Sequence, residues 1–277
     1  MNKQAVWAIA WKDMRAITAN IQVWLPMVII PLVLGIVIPT AFVGLLAHFG
    51  MGSMNNTDQM VKWVERIPPS ALKSTLIGLP SLVHQVAYLV GNYLFAPFFL
   101  LIPLMTASVI SADSFAGEKE RSTLETLLFA PVDLFSLFLG KALAAFVPAV
   151  GLSFGTFVLC AISLNAAGWS LFHGLFFPRW NWLPLMLLVI PMVSLLTIFV
   201  TVYVSARSTT FQGAYQSGAL LVLPAILLLF GQVSGLLLLD TGLVTVIGLV
   251  LAVINGALLW QLTRHMDRGY LFESQIK

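Results

Sequence analysis

Apolar residues fall in six long blocks separated by short polar stretches: about Ile21 to Ala47, Ala87 to Ile110, Ala142 to Leu164, Trp182 to Val204, Gln216 to Leu238 and Leu243 to Leu262. A helix rises about 1.5 Å per residue and a bilayer's hydrocarbon core is roughly 30 Å thick, so each block is long enough to cross a membrane as one helix. The first block is longer than a crossing needs and is expected to tilt or kink. Nine of the 14 prolines (Pro26, Pro31, Pro39, Pro97, Pro103, Pro148, Pro184, Pro191, Pro224) lie inside these blocks. Each removes a backbone hydrogen bond and tends to bend its helix, which membrane helices tolerate because neighbouring helices re-satisfy the freed groups.

Ahead of the first block, Val6, Trp7, Ala10, Trp11, Met14 and Ile17 fall within about 140° of a helical wheel at roughly 100° per residue, with Lys12 and Arg15 outside that arc. This pattern predicts an amphipathic interfacial helix over about residues 4–18, lying flat at a membrane surface. The first block far exceeds a signal-peptide core and has no small-residue cleavage site at a suitable distance, so it reads as an uncleaved anchor. From His48 to Val86 runs the longest stretch outside the blocks. It carries a short amphipathic pattern (Met60, Val61, Val64, Ile67) stopped by Pro68 and Pro69 and is too small for a separate folded domain. No repeat of fixed period is visible. The expected architecture is one all-α membrane domain over residues 1–277: six transmembrane helices, the interfacial helix, and a short helix between spans two and three.

Composition agrees with a chain solvated mainly by lipid. Apolar residues make up 59% of the sequence and charged residues only 9%, against about 25% charged in soluble proteins; mean hydropathy is +0.96. The net charge of +3 does not point to nucleic acid, because Lys and Arg lie between apolar blocks and form no basic run. Their distribution instead sets topology. Lys3, Lys12, Arg15, Lys119, Arg121, Lys141, Arg207, Arg264, Arg268 and Lys277 fall on one side, and Lys62, Arg66, Lys73 and Arg179 on the other. Ten against four predicts that both termini are cytoplasmic. The single cysteine, Cys160, provides neither a disulfide framework nor a thiolate metal cluster.

Eight of the 25 acidic and basic side chains cluster between Asp113 and Lys141. Ser122 and Glu125 have the spacing of a capping box. Leu124, Leu127, Leu128 and Phe129 follow, and Pro131 is a stop, which together predict a short amphipathic helix near Thr123 to Ala130. Here the chain resembles the ABC-2 type permeases, the membrane subunits of a large class of ABC exporters. The resemblance rests on Ala112-Asp-Ser-Phe-Ala-Gly-Glu-Lys-Glu-Arg-Ser-Thr-Leu-Glu-Thr-Leu-Leu-Phe-Ala-Pro131 and on Leu139-Gly-Lys141 entering span three, together with the six-span layout and the interfacial helix. Ser122 is a departure, since many relatives have glycine there. The resemblance implies that Asp113, Glu118, Glu120, Arg121, Leu124, Glu125, Leu127 and Leu128 belong to a segment that docks on a cytoplasmic ATPase. Glu118, Glu120, Arg121 and Glu125 would be its charged contacts, and Leu124, Leu127 and Leu128 its packed face. It further implies an exporter in a prokaryotic plasma membrane, a second permease copy or a related chain as partner, and ATP and Mg bound by the separate ATPase, with no cofactor on this chain.

Other motifs lead away from catalysis. No Gly-x-x-x-x-Gly-Lys-Ser/Thr occurs, because Phe135 and Ala142 stand where a glycine and a hydroxyl are required around Gly140-Lys141; any ATPase must be another polypeptide. Gly151-Leu-Ser-Phe-Gly155 matches a serine-nucleophile pattern, but His48, His84, His173 and His265 all lie outside or at the edges of the blocks, leaving Ser153 without a base. Ionisable residues are missing from the middle of every block, which disfavours an ion-coupled carrier. The alternative class is a membrane carrier or assembly factor, not driven by ATP, that recruits a cytosolic partner through the charged segment. Polar residues inside the blocks (Asn92, Ser153, Thr156, Thr197, Thr201, Gln216, Gln232, Asn255) read mostly as bonds within the helix bundle.

Overall fold

A computed structural model describes residues 3–50, 71–121, 133–208, 210–234 and 239–264. Among these residues the ordered elements are all helices. Six are long and apolar enough to cross a membrane: span one, Trp24–Phe49; span two, Leu82–Glu120; span three, Phe135–Ala167; span four, Trp182–Arg207; span five, Phe211–Gln232; and span six, Thr241–Gln261. An N-terminal helix, Lys3–Ala19, precedes them, and a short helix, Ala71–Ile77, leads into span two, where the sequence alone suggested only a loop. The pattern at Met60 to Ile67, the helix expected near Thr123 to Ala130, and Leu124, Glu125, Leu127 and Leu128 lie outside the described residues.

Two spans overrun their apolar blocks. Span two has 39 residues and span three 33, about 58 and 50 Å at a rise of 1.5 Å per residue. Most of the extra length of each projects at the same end of the bundle, the charged end, where the N-terminal helix also sits. Span two is the hub. Of its apolar stretch 72% is buried, against 56% for span four and 17–28% for the other four. Spans one, three, four and five pack around it, and span six packs on span four.

The prolines act in three ways. Wide π-helical turns at Val33–Val37, Val90–Leu94 and Leu185–Val189 stand just ahead of Pro39, Pro97 and Pro191, where the missing N–H and the ring's clash with an earlier carbonyl oppose a regular α ladder. Span five instead tightens before Pro224, with Leu220 and Leu221 donating three residues back to Ser217 and Gly218. Pro26, Pro31, Pro103 and Pro148 sit inside continuous helix.

At the end opposite the charged one, side-chain amides tie the spans to their connections. The Asn165 amide donates to the Phe177 carbonyl and its oxygen accepts from Phe176 N–H. Asn181 and the Trp182 indole both donate to the Asn92 carbonyl, at 2.9 and 3.0 Å, within the wide turn at Val90–Leu94. Trp182 then fills the core, with Phe99 and Phe177 edge-on to it and Phe157 stacked on it. Of the polar residues inside the spans, Ser153 and Thr197 donate to carbonyls of their own helix, and Asn255 reaches across from span six to the Met192 carbonyl of span four.

The N-terminal helix packs on span three through Val6, Ala10, Asp13 and Ile17. Gly140 sets how close it comes: a Cβ there would lie 2.9 Å from both the Val6 carbonyl oxygen and Ile9 Cβ, and backbone cannot swing aside as a flexible side chain can. Gly140→Val is therefore expected to push the helix off span three and cost about 1–3 kcal/mol, the range of overpacked cores. Gly151→Ala, whose Cβ would meet nothing within 4 Å, should leave stability unchanged or raise it slightly. Thermal unfolding of the two purified variants beside the parent checks both outcomes.

Candidate coupling site

The site is built around Lys141, in the second turn of span three and 1% exposed. An ammonium taken out of water persists only if it is paired and hydrogen-bonded. Three segments supply the partners. Glu118 Oε2, from the end of span two, lies 2.5 Å from Lys141 Nζ; Asp13 Oδ2, from the N-terminal helix, lies 3.5 Å away; and the Ser114 carbonyl accepts at 2.6 Å. Phe115 adds a ring face 5.4 Å from the ammonium. The other oxygen of Glu118 accepts from Lys12 at 2.9 Å, and Lys12 also pairs with Asp13 at 3.3 Å.

This arrangement exists because span two does not stop at its first acidic residue. A wide turn at Asp113–Gly117, with no proline to cause it, carries the helix on to Glu120 and contains the Ser114 carbonyl that Lys141 uses. Gly117 leaves room there, since a Cβ would lie 2.8 Å from Asp113 Oδ1 and 3.3 Å from the Arg121 guanidinium and would make both side chains shift. The space it leaves holds the Arg121 to Asp113 ion pair at 3.0 Å. Lys119 donates to the Ala206 carbonyl at the end of span four, at 3.3 Å. Glu120 accepts from the Phe211 N–H at 2.8 Å, joining Thr210, which accepts from Gly213 N–H, in capping span five. Asp133 caps span three by accepting from Ser136 N–H and Oγ; the Ser136 hydroxyl bond holds its carboxyl below the usual range.

Of the residues singled out from the sequence, the structure therefore brings Asp113, Glu118, Glu120 and Arg121 together in the last two turns of span two. Asp113 and Arg121 pair with each other, while Glu120 reaches span five. Glu118 is buried, with both oxygens engaged inside the protein. Beside them lies a cleft of about 210 Å³ lined by Lys12, Asp13, Ala16, Asp113, Ser114, Glu118 and Arg121. The sequence reading missed Asp13, and it took Lys141 as a topological charge and as part of the Leu139-Gly-Lys141 motif without giving it a partner. The signal for Asp13 was present: it is seven residues after Val6 and four before Ile17, an acid on the packed stripe of its helix.

A family model described as ABC-2 family transporter protein matches residues 7–255. The chain belongs to that family. No curated protein and no solved structure matches it. This ABC-2 protein is thus an integral membrane protein of a transport family, and the match runs from the N-terminal helix into span six, including the whole ion cluster. Ser153 of the ABC-2 chain donates its hydroxyl to Ala149 carbonyl at 2.7 Å, as a membrane-helix serine does, and among the described residues no three His, Cys, Asp or Glu side chains gather as a metal site.

Removing one member of the pair strips the other of its nearest counter-charge, with Lys12 left to Glu118 and Asp13 left to Lys141, so Glu118→Gln and Lys141→Met should each cost up to about 3–5 kcal/mol. The double variant Glu118→Gln with Lys141→Met leaves Lys12 facing Asp13 and should recover much of the loss. Denaturant or thermal unfolding of the single and double variants gives the coupling energy, and additive losses would contradict the cluster. Burial alone would lower the pKa of Lys12, but its bond to Glu118 and the Asp13 and Glu118 charges outweigh this and raise it above 10.5. Its contribution is accordingly complete below the ordinary lysine value and disappears only as pH rises through the raised one. Unfolding midpoints of the parent and Lys12→Gln should differ by a constant amount from neutral pH upward and converge only in strong alkali.

Proposed function

We propose that this chain is the membrane subunit of an ATP-driven exporter whose charged end is cytoplasmic and receives the stroke of a separate ATPase that binds ATP and Mg. Two copies, or one copy with a related chain, form the transport pathway in a prokaryotic plasma membrane, with both termini inside. The reading is supported by family membership and by the excess of Lys and Arg on that side. The exposed apolar faces of spans one, five and six leave surface for lipid and a second copy.

One observation carries the coupling role. The turn Glu118–Arg121 touches the N-terminal helix and span three through Glu118, span four through Lys119 and span five through Glu120. A push on the chain that follows this turn is delivered to four elements at once. In this reading Glu118 transmits force from inside the protein, and ATPase contact falls to the exposed groups and to Leu124, Glu125, Leu127 and Leu128 beyond the turn.

Two experiments test this. A photo-crosslinker on a cysteine placed at Leu127, in a Cys160→Ala background, should capture the cytoplasmic ATPase; failure to capture it there and at Leu124 would remove the docking assignment. Glu120→Ala should slow transport by about 2- to 30-fold, the span of a coupling change of 0.5–2 kcal/mol, while the ATPase still co-purifies and hydrolyses ATP. Transport equal to the parent would contradict the proposed link to span five.

A further inference from the structure

The N-terminal helix carries a second line of residues besides the one packed on span three. Lys3, Trp7, Trp11 and Arg15 recur every four positions, which aligns them along one side of the helix, and all four are exposed. The two indoles are 58% and 51% exposed, so the apolar arc read from the sequence is split: Val6, Ala10 and Ile17 serve the protein core, and Trp7 and Trp11 do not. The Arg15 guanidinium lies 5.6 Å from the Trp11 ring centroid. Indoles flanked by cations at a helix surface match the membrane–water boundary, where the ring meets the acyl region and the cation meets phosphate.

The charge on this line has a definite sign. The helix contains Lys3, Lys12, Arg15 and a single acid, Asp13. Asp13 is buried against Lys141, and Lys12 is turned to Glu118. Lys3 and Arg15 are thus the cations of this helix that the ion cluster does not neutralise. Arg presents a planar fork suited to phosphate oxygens.

We propose that the Lys3, Trp7, Trp11, Arg15 line binds anionic phospholipid headgroups, and that lipid charge thereby sets how firmly the coupling turn is held. The first half depends only on the helix. The second rests on the ATP-driven reading above. The link between them is covalent and short: the same helix that lies on the lipid carries Lys12 and Asp13 into contact with Glu118 and Lys141, so a helix lifted from the surface withdraws two of the cluster's four charges.

The binding half is measured on the full chain in nanodiscs of phosphatidylcholine, with brominated phosphatidylglycerol or brominated phosphatidylcholine added as quencher of tryptophan fluorescence. Subtracting a Trp7→Phe, Trp11→Phe variant isolates these two indoles from the other six of the eight tryptophans. Quenching by the anionic lipid should be stronger by about five- to thirtyfold in apparent affinity, and Lys3→Gln with Arg15→Gln should abolish the difference. Equal quenching by both lipids, or a preference that survives in the double variant, overturns the proposal. Loss of ATPase co-purification in the double variant, with its lipid preference intact, assigns the line to the protein partner and also overturns it. The regulatory half is read as ATP hydrolysis and transport of the reconstituted complex with and without phosphatidylglycerol. Parent activity should depend on that lipid and the double variant's should not; a lipid preference without this dependence overturns the second half alone. Failure of the ATP-driven reading itself appears separately, as a parent chain that binds no ATPase in either lipid.

Discussion

A lysine ammonium with almost no solvent contact must be answered by the protein, and the rest of this structure follows from how Lys141 is answered. Its partners come from positions 13, 114 and 118, so one cation fixes the N-terminal helix, the end of span two and the start of span three against each other. Apolar packing alone would allow these helices to slide, because lipid-like side chains pack about as well in several registers. A charge with designated partners does not allow it. This is the use of buried ionic groups that physics supports best: little net stability, with one arrangement selected over its neighbours.

The hub position of span two gives that cluster its reach. Its far end is anchored through the Asn92 carbonyl, held by Asn181 and Trp182, and its near end through the consecutive residues Glu118, Lys119 and Glu120. Between them the helix touches spans one, three, four and five. A displacement at the charged end therefore has a stiff path to the opposite end, interrupted only at wide turns, where a helix bends most readily.

The spans were legible in the sequence because lipid imposes a simple rule, about twenty apolar residues for each crossing, and windows of hydropathy detect it. Their ends were not. Ile110 looked like the end of span two because Ser111 and Asp113 follow it, and Ala142 like the beginning of span three because the charged Lys141 stands just ahead of it. Both helices continue because those charges are satisfied by partners up to 128 positions away in sequence, which no local window contains. The acidic stretch was recognisable as the place where information is concentrated, and its residues do converge. What sequence could not assign was direction: Glu118 faces inward to Lys141 and Lys12, Glu120 faces the backbone of span five, and Asp113 and Arg121 face each other. Gly140 was equally silent, because the reason for it is a neighbour that the fold brings up, the backbone at Val6.

The cluster has a property that none of its bonds shows singly. Lys12, Arg121 and Lys141 face Asp13, Asp113 and Glu118, and Lys119 and Glu120 continue the alternation, so these eight charges sum to zero. Alternating charges at such spacing cancel within a few ångströms, and at the distance of a diffusing protein they produce almost no field. The long-range field at this end therefore comes from cations outside the cluster, such as the exposed Lys3 and Arg15. The cluster itself is felt only at contact, and its buried pairs are screened little by salt.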